Sequence, residues 1–248
     1  MSGHSKWSTI KRKKGAADAK RGAIFTKMAK IIEVAARSGA DPSMNFKLKL
    51  AIQRAKAANM PSINIDKAIR KGSGQDKEAS QLEEISYEGM GPGNVAVIVN
   101  ALTDNKNRAV SDIRNIFNKV GGSFGTQVNW QFEAKGIIQV VPNESQKEEL
   151  EMAALEAGAS DWMLEDDSWE VHTPPKELDS VKTKLEAAGF KVEESNLGLV
   201  PKNKTTIDDA KLAEKILNFL DSLEDHDDVS EVFSNLDVPD EIMNKLSK

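Results

Sequence analysis

The feature that most constrains the fold is a cycle of strand and helix patterns between residues 134 and 203. Four runs have the alternation or the β-branched content of strands, and they lie at 137–141, 161–164, 169–172 and 192–200. Apolar residues of helical period occupy the first and third intervals between these runs, and Gly158 and Gly189 end the two helices. The resulting order is βαββαβ, which is typical of a ferredoxin-like domain.

The segments on either side of this cycle are each incomplete as a domain. Residues 80–133 predict the order β-β-α-β, and residues 204–248 add only a helix near 207–223 and a strand near 229–233. These two parts complete one another only if they pair across the cycle. The sequence therefore predicts that a domain of residues 134–203 is inserted into a second α/β domain made of 80–133 and 204–248.

Three short helices are predicted in the first part of the chain. The first spans about 18–38, the second ends before Pro61, and the third begins at Ser62 or Asn64 as its cap. We predict a basic arm and a helical domain within 1–75. The expected fold class is therefore α+β and multidomain, with an N-terminal three-helix domain followed by two ferredoxin-like α/β domains, one inserted in the other.

The charge of the chain is divided between its two ends. The net charge is −5, but residues 1–71 carry 17 Lys and Arg against four Asp and Glu, a net charge of +13. Residues 72–248 carry 17 basic and 35 acidic side chains, a net charge of −18. The basic part suits phosphate groups, whereas the acidic part repels them or faces a basic protein surface. Basic residues occur on all three predicted helices, which favours contact with a nucleic-acid backbone over reading of base edges.

The densest basic segment is an N-terminal arm at residues 3–15, which has four consecutive cations and one tryptophan. Such an arm neutralises phosphates and releases their counterions, while the indole stacks on a base. The alternative interpretations are a solvated charge run, a localisation signal, or a tryptophan that belongs to the helical core. The predicted nucleic-acid contacts are Lys6, Trp7, Lys11, Arg12, Lys13, Lys14, Lys20, Arg21, Lys27 and Lys30.

No pattern typical of an enzyme or of a metal site occurs in the sequence. There is no Cys, the three histidines (His4, His172 and His226) are isolated, and no nucleophile–base or paired-acid pattern is present. The acidic run 224–228 lacks the glycine and the ligand alternation of a calcium loop, so we predict a solvated turn before a strand. We therefore expect a protein that is not an enzyme, with no catalytic residues, no metal, no cofactor and no small-molecule substrate.

The sequence also bears on the compartment. It has neither a secretory signal nor an apolar run long enough to span a bilayer, and the lack of Cys suits a reducing environment. We expect a cytoplasmic protein that has no membrane partner.

A glycine-rich connection at residues 89–93 links two predicted strands. Because no helix follows it, the connection lacks the context of a phosphate loop, and we predict a turn that needs positive φ. The segment 104–108 is predicted to cap the next helix and to place a guanidinium near the helix start. A structural role is the first interpretation of these segments, and the alternative is contact with a partner through Gly91, Pro92, Gly93 and Arg108.

Several segments of the chain resemble the YebC/PmpR family. They are Ser2-Gly3-His4-Ser5-Lys6-Trp7, 18–22, 25–27, Tyr87-Glu88-Gly89-Met90-Gly91-Pro92-Gly93, Asp104-Asn105-Lys106-Asn107-Arg108, 121–122, 153–159 and 223–229. The resemblance implies a helical N-terminal domain and two α/β domains, the last inserted in the second, which agrees with the strand order above. The family has no established catalytic residues. Its members are described as DNA-binding transcriptional regulators, and some as translation factors, among them a mitochondrial translational activator of cytochrome c oxidase.

The resemblance leaves two functions open. The first is a DNA-binding regulator of transcription, which is the usual assignment of the family. The second is a ribosome-associated factor that relieves stalling, whose basic domain binds ribosomal RNA while its acidic domains face basic ribosomal proteins; the charge division favours this one. The chain departs from the family pattern at 125–130, where many relatives look longer, and we assign no function to that segment.

Overall fold

The computed structural model describes residues 17–76, 81–141, 147–165 and 168–246. It has the α+β class that the sequence predicts, with helices first and sheet-containing parts after them. Gln131–Lys202 forms one compact unit, and the described residues before and after it form a second. The residue boundaries proposed above for three separate domains stay predictions.

Three helices open the described chain: α1 (Ala17–Ala36), α2 (Phe46–Ala57) and α3 (Ser62–Gly72). Their apolar faces form one small core, whose buried members include Ile32, Ala36, Leu48, Ala51, Ala55, Ile65 and Ala68. Helix α1 packs against both other helices, whereas α2 and α3 touch each other at few positions. We refer to these three helices and their connections as the helical part.

A buried amide fixes the start of α2. Oδ1 of Asn45 accepts a hydrogen bond from the backbone N–H of Leu48 at 3.1 Å, which is the geometry of an N-cap. The Nδ2 group of Asn45 donates to the carbonyl oxygen of Ala35 at 2.8 Å, so the same side chain also satisfies the end of α1. Helix α3 begins after Pro61 without a side-chain cap, so the capping residue predicted for this helix is wrong.

The first strands form an antiparallel pair. β1 (Glu83–Met90) and β2 (Ala96–Thr103) lie in register along their whole length, and a 3-10 turn at Pro92–Asn94 connects them. Helix α4 (Lys106–Lys119) and the short strand β3 (Ser123–Phe124) follow, and β3 pairs with the free edge of β1.

Gln131–Lys202 has the βαββαβ order that the sequence predicts. Its elements are β4 (Phe132–Val140), α5 (Lys147–Ala157), β5 (Asp161–Glu165), β6 (Ser168–Thr173), α6 (Leu178–Ala187) and β7 (Val192–Pro201). The antiparallel sheet has the order β5-β6-β4-β7, so β6 lies between the two strands that α5 connects. The first and last residues of the unit lie side by side, because the backbone N–H of Lys202 donates to the carbonyl oxygen of Gln131 at 2.8 Å.

The chain then returns to the first sheet. The remaining elements are β8 (Thr205–Thr206), α7 (Ala210–Glu224), β9 (Val229–Ser234), β10 (Leu236–Asp237) and α8 (Asp240–Leu246). Strand β9 pairs with β2, which gives the order β3-β1-β2-β9, and β8 and β10 form a small parallel pair. Side chains of α4 and α7 share the core of this sheet, and the rings of Phe117 and Phe219 meet edge to face at 4.9 Å.

Gly72 allows α3 to approach the backbone of α1. A Cβ atom at this position would lie 2.0 Å from the carbonyl oxygen of Glu33 and 2.8 Å from its carbonyl carbon. Helix backbone atoms cannot move aside as the end of a flexible side chain can. An ion pair joins the two helices at the same point, because Nζ of Lys71 lies 3.1 Å from Oε2 of Glu33.

We expect Gly72→Ala to lower the free energy of unfolding by about 1–3 kcal/mol, because the added methyl group forces α3 away from α1. Gly22→Ala is the matched control: Gly22 lies in α1, and its added Cβ meets no described atom within 4 Å. This control should raise the stability by up to about 1 kcal/mol through helix propensity. Urea unfolding followed by circular dichroism measures both changes, and equal effects would contradict the role of the close approach.

Candidate nucleic-acid interface

The predicted contacts of the N-terminal arm lie outside the described residues. They are Lys6, Trp7, Lys11, Arg12, Lys13 and Lys14, and their role in nucleic-acid binding stays a prediction. Lys20 and Arg21 lie near the start of α1, where Arg21 is exposed, and their role is likewise a prediction.

Lys27 and Lys30 of α1 point toward the acidic run at residues 224–228. The ammonium group of Lys27 donates to the carbonyl oxygen of Glu224. Nζ of Lys30 lies 2.8 Å from Oδ1 of Asp228 and 3.0 Å from the carbonyl oxygen of Asp227. Burial lowers the pKa of Lys27, and the nearby carboxylates only partly oppose that change. Both ammonium groups thus bind acceptors of their own chain, and the phosphate contact expected of them stays a prediction.

Asp228 is the acceptor at the centre of this junction. Its side chain is only 3% exposed, and its Oδ2 atom lies 2.8 Å from Nη2 of Arg108 and 3.1 Å from Oγ1 of Thr103. Burial by itself would raise the pKa of Asp228, but the hydrogen bonds from Lys30 and Arg108 outweigh burial and hold the pKa below its ordinary value. The prediction that this segment is only a solvated turn is therefore wrong for Asp228, because α1 and α4 converge on it in the fold.

Two further cations of the helical part bind groups in or next to the sheet of β1, β2, β3 and β9. Nη1 of Arg54 lies 2.7 Å from Oε1 of Glu231 in β9, and the guanidinium of Arg37 donates to the carbonyl oxygen of Leu82. We call Lys27, Lys30, Arg37 and Arg54 the inward cations. Their charges are directed at groups of the chain itself.

A second set of cations faces solvent on α2 and α3. We call Lys47 and Lys56 of α2 and Lys67 and Arg70 of α3 the outward cations; all four are exposed. In the described ranges, no ion pair engages any of them. The sequence did not single them out, because inward and outward cations alike lie off the apolar stripes of their helices. The two sets differ only in which side chains the fold brings near acceptors of the α/β part, as Arg54 and Lys56 of the same helix show.

The glycine-rich connection has the predicted positive φ and packs against α7. Gly93 has a φ of +68° and is exposed, whereas Gly91 and Pro92 are buried. A Cβ atom on Gly91 would lie 2.9 Å from Cε1 of Phe219. Gly91 and Pro92 therefore pack within the fold, as expected of a structural turn, and the partner contact of Gly91, Pro92 and Gly93 stays a prediction.

Arg108 lies at the start of α4, which is capped by the side chain of Asn105 as predicted for this segment. Its Nη2 atom lies 2.8 Å from Oδ1 of Asp104 as well as from Asp228. Hydrogen bonds to Asp228 and then to Asp104 raise the pKa of Arg108 above its ordinary value. The side chain is still 47% exposed, so a partner contact of Arg108 stays a prediction.

His172 and His226 lie in the described ranges and contact polar groups of the chain, and Nε2 of His226 lies 3.5 Å from Oδ2 of Asp112. The backbone N–H of Asp228 donates to Nδ1 of His226 at 3.1 Å, and Nε2 of His172 lies 2.8 Å from Oε1 of Glu170. Within the part of the chain that the structure covers, no group of three or more His, Asp or Glu side chains could hold a metal ion. None of the helices in the described ranges is both long and apolar enough to cross a membrane.

Replacing Asp228 with Asn should destabilise the chain, because Lys30 and Arg108 lose the carboxylate that both of them bind. We expect the free energy of unfolding at neutral pH to fall by about 1–3 kcal/mol. Asp104→Asn is the matched control, since it removes the exposed partner of the same Arg108 and should change that free energy by less than about 1 kcal/mol. Urea unfolding of the full chain measures both variants.

A comparison of the unaltered chain with Asp228→Asn also tests how the stability depends on pH. Because the folded pKa of Asp228 lies below its unfolded value, its contribution is complete above the unfolded pKa of about 3.9 and is lost as the pH falls through the folded pKa. The stability difference between the unaltered chain and Asp228→Asn should be constant near neutral pH and shrink below about pH 4. A difference that stays the same across this range would mean that Asp228 acts through packing and not through its charge.

The chain is similar to proteins of one family over nearly its whole length. Residues 5–75 match the model of the TACO1/YebC protein N-terminal domain, and residues 82–236 match that of the TACO1/YebC second and third domain. A probable transcriptional regulatory protein of Rubrobacter xylanophilus is 52% identical over 250 residues, which cover all of both chains. Another protein of that description, from Desulforapulum autotrophicum, is 50% identical over 99% of this chain and 100% of its own length.

A solved structure agrees with these sequence matches. The crystal structure of a conserved hypothetical protein from Aquifex aeolicus has a TM-score of 0.83 to this chain at 42% identity, with 92% of this chain and 95% of that chain covered. The resemblance found in the motifs is thereby confirmed across both compact units. The chain belongs to the TACO1/YebC family.

Proposed function

We propose that the chain is a non-enzymatic regulator of gene expression that binds nucleic acid in the cytoplasm. The observation that carries the proposal is the division of the cations in the helical part. The inward cations bind acidic and carbonyl groups outside the helical part, whereas the outward cations face solvent on α2 and α3. The description of the relatives as probable transcriptional regulatory proteins supports a regulatory role.

The outward cations suit contact with phosphates. Long, exposed Lys and Arg side chains on two neighbouring helices can each neutralise a phosphate and release its counterion without reading a base. The acidic remainder of the chain repels a polyanion, so it directs nucleic acid to this face. The basic arm is expected to extend the same surface. Neither a cofactor, a metal, a small-molecule substrate nor a membrane has a part in this proposal.

The primary target that we propose is DNA, in line with the description of the relatives. Ribosomal RNA is the second candidate, and the charge of residues 72–248 is the observation that favours it. A net charge of −18 suits basic ribosomal proteins, which would hold the acidic part while the helical part contacts RNA. In this alternative the chain is a translation factor that relieves stalling.

Changing the four outward cations to Ala should weaken binding of every DNA sequence by a similar factor, about tenfold or more. The slope of log affinity against log salt should flatten by up to about 3.6 units, at about 0.9 unit for each phosphate that is no longer neutralised. Fluorescence anisotropy of labelled duplex DNA with the full chain measures both quantities.

A matched control removes the same number of charges from the acidic part. Lys176, Lys191, Lys204 and Lys245 are exposed, and their change to Ala should leave affinity and salt slope nearly unaltered. If the two quadruple variants lose affinity equally, the helical face is not the binding surface.

Sedimentation of the unaltered chain tests whether its target is DNA or the ribosome. Lysates at moderate salt, treated or untreated with DNase, are separated on sucrose gradients. If DNA is the target, the chain should leave the fast fractions after DNase. If it instead stays with ribosomes and leaves them only when the salt is raised, the DNA assignment is overturned and the ribosomal one is supported.

A further inference from the structure

A groove lies between α2 and α3 on the face that carries the outward cations. Its volume is about 670 Å³, within the range of about 300–1,000 Å³ that is typical of ligand pockets. It exists because both helices pack on α1 and leave a gap between themselves. Ala40 and Pro42 of the α1–α2 connection also line the groove.

The lining of the groove is apolar where it meets the helical core. Ile65 is buried, and Ile52 and Ile69 are half-buried, so each contributes part of its side chain to the surface of the groove. Together with Pro42, they form an aliphatic surface on the two helices and the connection. Apolar side chains of this kind can hold the face of a base that has left its stack.

Cations stand along both sides of this apolar surface. Lys49 and Lys56 come from α2 and lie seven residues apart, so they occupy the same side of the helix about two turns from each other. Arg70 comes from α3, and Asp66 is the one acidic residue in the lining. A ligand that matches this arrangement has a flat apolar body and negative charge on either side.

Polar side chains complete the lining. Gln53, Ser62 and Gln75 are among the groove residues. An amide group offers both a donor and an acceptor, as does a hydroxyl group, and the edges of nucleobases present both kinds of atom. The groove therefore combines the apolar, cationic and polar groups that a nucleotide uses.

We propose that this groove receives one unpaired nucleotide of a single-stranded nucleic acid, with its base on the aliphatic surface and its flanking phosphates at Lys56 and Arg70. The proposal rests on the proposed function and adds the class of substrate. A duplex keeps its bases stacked and paired, so only a single strand, a loop or a bulge delivers a base to the groove. An acidic peptide also suits the cations, and the test below includes it.

Two double variants, each with two reversed charges on α2 and α3, test whether nucleic acid binds in the groove or over the whole basic face. Lys56→Glu with Arg70→Glu changes two outward cations that line the groove, and Lys47→Glu with Lys67→Glu changes the two that do not. All four residues are exposed, so both variants are expected to fold, which circular dichroism checks. Affinity is measured with the full chain for oligouridine, for oligothymidine and for a blunt duplex.

For oligouridine and oligothymidine, the groove pair should lower the affinity about tenfold and the other pair less than about threefold. For the duplex, the two pairs should have similar effects, because both act there only through general charge. If oligouridine alone shows the difference, oligodeoxyuridine decides whether the 2′-hydroxyl or the missing methyl group of thymine is responsible; if oligothymidine shows it equally, the site takes either sugar. Equal losses for single strands would overturn the groove proposal and leave the proposed function intact.

Crosslinking on the unaltered chain provides a measurement that needs no variant. An oligouridine with one 4-thiouridine is irradiated on the protein, and the crosslinked peptides are identified by mass spectrometry. The proposal expects crosslinks within 49–56 and 62–70, and crosslinks confined to other segments would overturn it. So would an oligoglutamate peptide that binds the groove while oligonucleotides do not. If neither single strands nor the duplex bind the unaltered chain at all, the proposed function itself fails.

Discussion

The carboxylate of Asp228 is the contact on which the arrangement of the helices and the sheet depends. It binds α1 through Lys30, α4 through Arg108 and β2 through Thr103, while its backbone carbonyl accepts the N–H of Leu102 at 2.7 Å. A buried carboxylate without cations would be strongly destabilising. Nearby basic side chains are therefore needed to neutralise the charge of Asp228. Lys30 and Arg108 are thus engaged within the chain, whereas the outward cations of α2 and α3 are left at the surface.

The helical part is held together by a small apolar core and by polar contacts. Many of its buried residues are alanines, among them Ala36, Ala51 and Ala55, and each buries little apolar area. The close packing that they allow brings α2 and α3 against α1, whereas the isoleucines between α2 and α3 line a groove without filling it. The amide of Asn45 and the ion pairs of Arg54 and Lys30 add directed contacts to this modest core. The groove is a result of the same packing.

Much of the fold could be predicted because its signals are local. The β-branched runs and glycine stops of residues 134–203 specify their strands and helices without reference to distant residues, and the βαββαβ order follows from them. The candidate site was harder to predict, because its residues depend on how elements dock. Lys30 and Lys56 look alike in the sequence, yet one binds Asp228 and the other faces solvent. Asp228 itself lies in a run of acids whose composition is that of a solvated turn, and only the convergence of α1 and α4 makes it a buried acceptor.

The junction of the inserted unit has a consequence for how its length can change. Gln131 and Lys202 are joined by a backbone hydrogen bond, so the chain enters and leaves the unit at neighbouring positions. The entropy of closing a loop grows slowly with its length, and here the ends are held together by pairing of β4 with β7. Connections inside the unit can therefore become longer without separating the two ends at which it joins the rest of the chain.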